Sequence, residues 1–338
     1  RDRNHFAVVV TTASMTDEEE LTYAESGVDI EASEAATAAL VGAVGEFEGD
    51  YAGMVPIGED RYLALATDGV GTKLLVAEAL DDYSTVGIDC IAMNVNDLAA
   101  AGVTPVAFVD YLAVDEPDER FAEQVGEGLS EGARRADMAL VGGETAVMPE
   151  VVKGLDLAGT CAGLATESEV FDGEARAGDA LVGWESSGIH SNGLTLAREA
   201  ATRDGGSYDD PFPYDGYDTV GEALLEPTRI YTDLLSALHD AETHACANVT
   251  GGGWSNLSLM GRFTYDVTGA FGPQPVFEFV QARGNVSDEE MHRTFNMGTG
   301  FVAALPEADA ERVADATDGR VIGTVRGGDG VEVRGLSL

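Results

Sequence analysis

Short β-branched runs alternate with helically spaced apolar positions through the first half of the chain. Residues 62–66 predict a strand that enters a turn at Asp68, and residues 87–101 predict a helix. A second strand is expected at 106–112, an acidic helix at 117–135, a strand at 138–141 that ends at Gly142-Gly143-Glu144, and a further strand at 155–165. The polar stretch 167–179 carries a Gly-Asp turn, which puts a domain boundary near residue 175. Beyond it, a strand at 180–184 runs through a Ser/Gly-rich turn at 186–193 into a helix at 194–201. Thr250-Gly251-Gly252-Gly253 repeats that arrangement ahead of another expected helix, and 204–217 is a Gly/Asp/Pro-rich loop.

Composition adds scale. A chain of 338 residues with 44% apolar content can bury a sizeable core and is expected to form two domains, at 15–175 and 176–338. Charge changes the picture more: 61 acidic residues face 19 basic ones, for a formal charge of −42. The acids are spread along the chain among apolar periodic segments, which suits a folded protein with an acidic surface rather than a disordered tail. Such crowding is tolerable where salt screens it, over a Debye length of about 3 Å at 1 M, so a salt-rich cytoplasm is expected. The same surface argues against nucleic acid as a partner. Cys90, Cys161 and Cys246 are far apart with no C-x-x-C pair, as in a reduced, cytoplasmic protein. No apolar run reaches the roughly 18 residues of a membrane span. Residues 1–14 weakly imitate a signal peptide, but the apolar run 6–10 is short and Thr11 and Thr12 break it; a start at Met15 is expected, with 1–14 an extension.

Candidate chemistry begins at Thr67-Asp68-Gly69-Val70-Gly71-Thr72-Lys73. Lys73 is one of two lysines, the other being Lys153. Glycines let a backbone approach phosphate, Lys73 supplies a compact positive charge, and Asp68 can hold a divalent cation against phosphate oxygens. The spacing is not that of a P-loop, and a strand followed by a tight turn is the plain alternative. Ser191-Asn192-Gly193 and Gly251 to Gly253 each follow a strand and precede a helix, the arrangement that points backbone N–H groups at an anion.

The motifs also occur together and in order. They are Gly27-Val28-Asp29-Ile30, the T-D-G-V-G-T-K segment, Gly87-Ile88-Asp89 through Asn94-Val95-Asn96-Asp97-Leu98, Gly142-Gly143-Glu144-Thr145-Ala146, Ser186-Ser187-Gly188-Ile189-His190-Ser191-Asn192-Gly193, Pro227-Thr228-Arg229-Ile230-Tyr231, Thr250 to Gly253, and Thr294-Phe295-Asn296-Met297-Gly298. This series resembles the phosphoribosylformylglycinamidine cyclo-ligase (aminoimidazole ribonucleotide synthetase) family. The chain departs from it in the acidic loop Gly45 to Gly53, where a richer glycine loop is usual, and at Asn248, where a histidine is common.

The resemblance implies an α/β (α+β type) fold of two domains: an N-terminal mixed sheet that pairs across a homodimer into a barrel, and a C-terminal mixed sheet flanked by helices. It implies ATP-dependent cyclisation of formylglycinamidine ribonucleotide to 5-aminoimidazole ribonucleotide, with Mg2+ as the metal. Within it, Lys73, Asp97 and His190 are the candidate catalytic residues. Asp68, Gly69, Gly71, Thr72, Lys73, Gly142, Gly143 and Glu144 are candidates for the ATP phosphates. Ser191, Asn192, Gly193, Thr250, Gly251, Gly252 and Gly253 are candidates for the ribonucleotide, and Asp68, Asp97 and Glu144 for the metal. The alternatives are a helix cap at Asp97, an ion pair at Lys73, a loop-shaping hydrogen bond at His190 and plain turns at the glycine runs. A reactive Cys and Lys in the glycine loop, needed by a selenophosphate synthetase, are missing. Formylglycinamidine synthetase is the nearest enzymatic rival, and a nucleotide-binding sensor without turnover the rival from another class.

Overall fold

The computed structural model describes residues 20–22, 26 and 51–338. The 1–14 extension, the 27–30 motif and positions 45–50 of the acidic loop lie outside the described residues.

The first half builds a mixed sheet from β1 (Gly53–Pro56), β2 (Arg61–Gly69), β3 (Thr104–Val114), β4 (Ala139–Val147) and β5 (Leu155–Thr166), in the order β1-β2-β5-β3-β4. β3 and β4 run parallel and the other neighbours antiparallel. Helices α1 (Leu74–Leu80), α2 (Val86–Ala100) and α3 (Glu119–Arg135) complete this half, with α2 against β2 and β5 and α3 against α2. The start of α3 is set by Asp118, whose carboxylate accepts from the N–H groups of Arg120 and Phe121.

The second half builds a seven-stranded mixed sheet, β12-β11-β8-β10-β6-β9-β7. Its strands are β6 (Ala180–Glu185), β7 (Ala245–Asn248), β8 (Thr264–Val267), β9 (Thr299–Leu305), β10 (Arg320–Arg326), β11 (Gly330–Val333) and β12 (Leu336–Ser337). Interleaved with them are α4 (Leu194–Thr202), α5 (Val220–Leu225), α6 (Leu235–His239), α7 (Pro275–Gly284), α8 (Asp288–Thr294) and α9 (Glu307–Ala316).

Three local expectations are corrected. β2 does not turn at Asp68; pairing with β5 runs on through Gly69, and the turn is the 3-10 segment Gly71–Lys73. Gly142-Gly143-Glu144 is not a strand end but the middle of β4. Gly143 is small because the Asp110 carboxylate of the neighbouring strand lies where its Cβ would be, so the glycine answers a side chain and not a turn. The Thr250–Gly253 run leads into a 3-10 helix, Gly253–Met260.

Helix α2 is the centre of the molecule. All of its residues are buried except Asp97, which is partly exposed. Such a helix is normally apolar all round, yet this one carries Asp89, Asn94 and Asn96 inside. Its close approach to α3 depends on glycine: a Cβ on Gly87 would clash with the backbone of Val125, Gly128 and Leu129. Among the described residues, the opposite face of the first sheet carries no helix. There Val55, Leu65, Val109, Tyr111 and Leu164 are between 39% and 53% exposed, a broad apolar surface.

Two glycines in this helix pair separate packing from propensity. Gly87→Ala drives a methyl into backbone and lowers unfolding free energy by about 3 kcal/mol or more. Gly126→Ala on α3 meets nothing within 4 Å and raises stability by about 0.5–1 kcal/mol. Denaturant unfolding of the two variants checks both signs.

Candidate active site

Lys73 follows the turn after β2 and points into the protein, where it is fully enclosed. Its Nζ donates to Asp89 Oδ1 at 2.9 Å, lies 2.9 Å from Oδ2, and donates to the Glu226 carbonyl at 2.6 Å. Asp89 Oδ1 also accepts from the Thr228 N–H at 2.8 Å and its Oγ1 at 2.6 Å. The structure thus places Lys73, a candidate for the ATP phosphates, in a buried ion pair in which Asp89 and the Glu226 carbonyl take its ammonium. Removing one partner of such a pair leaves a buried charge and costs about 3–5 kcal/mol.

The other buried polar residues of α2 grip neighbouring backbone. The Asn94 amide brackets the Asp68 peptide: its Oδ1 accepts the Asp68 N–H at 3.0 Å, and its Nδ2 donates to the Asp68 carbonyl at 3.2 Å. Asn96 does the same for the Pro227–Tyr231 segment, donating to the Arg229 carbonyl at 2.8 Å and accepting from the Tyr231 N–H at 2.9 Å. Buried amides are stable only with such partners.

Asp68 and Asp97 face this helix–sheet junction. Asp68 Oδ1 accepts the Gly69 N–H at 2.7 Å, and burial raises its pKa against that bond. Asp97 Oδ1 accepts from Asn248 Nδ2 at 2.9 Å. Burial pushes Asp97 up to about 7; the Asn248 bond opposes the shift and the charge of Asp68 adds to it. Two carboxylates that disfavour their own charge, with oxygen-only chemistry, fit a hard divalent cation that takes its remaining ligands from phosphate and water. Glu144 does not join them within one subunit. It pairs across strands with Tyr111, one position beyond the Asp68–Gly159–Asp110–Gly143 row, so it projects from the opposite face of the sheet. Among the described residues no group of three or more His, Cys, Asp and Glu side chains is placed to hold a metal.

The second-half loops converge on the same helix. Asn192 Nδ2 lies 3.6 Å from Met93 Sδ of α2, and its Oδ1 borders Gly251. Thr72 and Thr195 share a 3.1 Å hydrogen bond that ties the turn after β2 to α4. Gly193 has φ +74° at the start of α4, and any Cβ there would strike Phe295. Ser191 is 9% exposed and its Oγ has no partner among the described residues. Gly252 and Gly253 enter the 3-10 helix, and Asn256 Oδ1 accepts the Thr250 N–H at 2.9 Å. Ser191, Asn192, Gly193 and Thr250 to Gly253 are thus brought together beside α2, whereas Gly142, Gly143 and Glu144 stand apart on β4.

His190 occupies the left-handed region, φ +66°, and is buried. Its Nε2 accepts the Ser187 N–H at 3.2 Å, so the neutral ring carries its proton on Nδ1. Burial, then the charges of Lys73 and Arg229, depress its pKa to about 3. Sequence reasoning missed Asp89, Asn94, Asn96, Asp110 and Asn248. For Asp89, Asn94 and Asn96 the available signal was polar residues in a helix that is otherwise apolar all round; Asp110 and Asn248 lie on strands and had no such signal.

The depressed His190 pKa fixes a pH dependence. Below pH 6.5 the unfolded chain takes up a proton that the folded chain refuses, so stability falls as pH drops from about 6.5 towards 3. His190→Asn, which tolerates a positive φ, loses that sensitivity. Between pH 6.5 and 4 the wild type declines by up to about 3 kcal/mol more than the variant, read from denaturation midpoints.

The AIR synthase related protein N-terminal domain family matches residues 49–165, and its C-terminal domain family matches 176–335. A phosphoribosylformylglycinamidine cyclo-ligase of Methanococcoides burtonii is 48% identical, over 95% of this chain and 99% of its own length. The thiamine monophosphate kinase structure from Aquifex aeolicus has a TM-score of 0.64 at 18% identity, covering 92% of this chain and 99% of its own. The hydrogenase maturation protein HypE in complex with ATP has a TM-score of 0.59 at 19% identity, covering 82% and 80%. These two share the fold. Near half identity across almost all of both chains, with both domains matched in order, places this protein in the phosphoribosylformylglycinamidine cyclo-ligase family.

Proposed function

We infer that this protein closes the imidazole ring of purine biosynthesis, converting formylglycinamidine ribonucleotide and ATP to 5-aminoimidazole ribonucleotide, ADP and phosphate. The observation that carries the reading is the 48% identity over 95% of the chain. It is supported by the gathering of Asp68, Asp97, Ser191 to Gly193 and Thr250 to Gly253 around one helix. In the reaction the amide oxygen of the substrate attacks the γ-phosphorus of ATP and the bond to ADP breaks. An internal nitrogen then attacks the activated carbon, the C–O bond breaks, and phosphate leaves. Holding nitrogen and carbon together can contribute up to roughly 7 to 11 kcal/mol.

Asp68 and Asp97 would hold Mg2+, which supplies charge neutralisation between phosphate oxygens. The open Ser191 Oγ, with Asn192 and the glycines of both loops, suits the 5-phosphate of the ribonucleotide. His190, neutral near pH 7, serves as a fixed hydrogen-bonding ring rather than a base. Lys73 acts at one remove, by holding Asp89 and the Glu226–Thr228 backbone in place. The bare apolar face of the first sheet supports a homodimer formed through it, since contiguous apolar surface of that breadth marks an interface. The composition supports a cytoplasmic, salt-adapted enzyme.

Asp68→Asn and Asp97→Asn each reduce turnover by about 100-fold, near 2.7 kcal/mol. The assay is aminoimidazole formation by purified protein in molar KCl with ATP and Mg2+. A well-folded wild type that makes no aminoimidazole but phosphorylates thiamine phosphate would overturn the reading. A separate outcome concerns salt: sedimentation equilibrium from about 0.1 M to 3 M KCl shows the dimer tightening as the Debye length falls from about 10 Å to below 3 Å. A dimer of unchanged strength at the low end would remove the argument for salt adaptation.

A further inference from the structure

Asp97 is the one residue of α2 left partly exposed, and its carboxylate is met from the other domain. Asn248 ends β7, an edge strand of the second sheet, and is 2% exposed. The strand is held beside it by pairing of Asn248 with Phe301 and by the Val249 N–H, which donates to the Gly300 carbonyl at 2.9 Å. From that fixed base the Asn248 amide donates to Asp97 Oδ1 at 2.9 Å. The chain then enters the Thr250–Gly253 loop directly. We propose that Asn248 is a positioning residue: its amide fixes the plane of the Asp97 carboxylate, turns Oδ2 towards the nucleotide's metal and phosphates, and ties that carboxylate to the loop that receives the ribonucleotide.

The chemistry of the donor decides between this role and a plain link between domains. A lysine or arginine at position 248 would hold Asp97 equally well but would neutralise it, and a neutralised carboxylate is a poor metal ligand. An amide restrains it and leaves its charge free. A carboxylate held by one bond through one oxygen keeps the second oxygen for another partner, and Asp97 Oδ2 has none among the described residues. Outer partners of this kind typically change metal affinity or activity by about 10–100-fold.

The proposal rests on the cyclo-ligase reading, and the experiment separates the two. Asn248→Ala, Asn248→His and Asn248→Asp are compared with wild type in three measurements: kcat and KM for both substrates, melting temperature, and Mn2+ binding in the presence of a non-hydrolysable ATP analogue, read by electron paramagnetic resonance. Asn248→Ala should lower kcat and Mn2+ affinity by about 10-fold or more, with the ribonucleotide KM within about twofold and a melting temperature close to wild type. Asn248→His, which keeps an N–H donor, should recover most of both. Asn248→Asp, which sets a second carboxylate against the first, should fall below the alanine variant in kcat. Unchanged kcat and Mn2+ affinity in Asn248→Ala would overturn the proposal. So would equal losses in the alanine and histidine variants that track melting temperature, which would make the bond structural. If wild type forms no aminoimidazole, the functional reading fails while the Mn2+ titrations still decide the role of Asn248.

Discussion

A lysine ammonium sealed from water must be surrounded by oxygen, and that requirement organises this molecule. Lys73 is met by Asp89 of α2 and by the Glu226 carbonyl, and Asp89 is met in turn by Thr228. Two neighbouring elements of the first half and a segment more than a hundred residues later are thereby held at one point, and each continues into the site. The turn before Lys73 leads back to Asp68, α2 leads on to Asp97, and the segment after Glu226 is pinned to Asn96. Buried ion pairs contribute little net stability, because desolvation consumes most of the attraction. Their value here is geometric: few arrangements bring this many partners to one buried ammonium and carboxylate.

A second theme is the use of neutral partners around acids. In a chain of net charge −42, cations are scarce, and among the described residues neither Asp68 nor Asp97 has a cationic partner. Asn94 brackets the backbone of Asp68 and Asn248 holds the side chain of Asp97. Amides fix geometry without supplying a neutralising cation, and burial holds the pKa of both acids above the usual carboxylate range. His190 is the complementary case: burial, and then two nearby cations, keep it neutral, so it adds no competing positive charge to the cluster.

Much of this was legible in the sequence, for reasons that can be stated. Helices 86–100 and 119–135 and the strands 61–69, 104–114, 139–147, 155–166 and 180–185 lie near the segments that the sequence predicts, whereas the other strands of the second sheet have no predicted range. The grouping of Ser191 to Gly193 with Thr250 to Gly253 followed from ordered motifs rather than from any local signal. The burial of Lys73 is not legible locally, because rarity and neighbouring glycines suggest exposure to ligand, whereas its partner, Asp89, lies in a different element. Gly142-Gly143-Glu144 was misread because glycine pairs suggest turns, and only the cross-strand register reveals the Asp110 side chain that excludes a Cβ. The face from which Glu144 projects is hidden for the same reason: alternation along a strand is visible in sequence, but which face meets the helices is not. Asn248 gave no signal alone, since its partner is 151 residues away.

The Lys73 cluster also sets an order of events during synthesis. Lys73 and Asp89 leave the ribosome early, but the carbonyl of Glu226 lies 153 residues beyond Lys73, and the Thr228 groups lie 139 residues beyond Asp89. Until that later stretch emerges, a nascent first half holds an ammonium and a carboxylate with part of their oxygen and N–H partners missing. Its sheet can pair, since β1 to β5 are all present, yet the core beneath α2 stays open to water on that side. Closure of the first domain is therefore a late, long-range event that waits on the second.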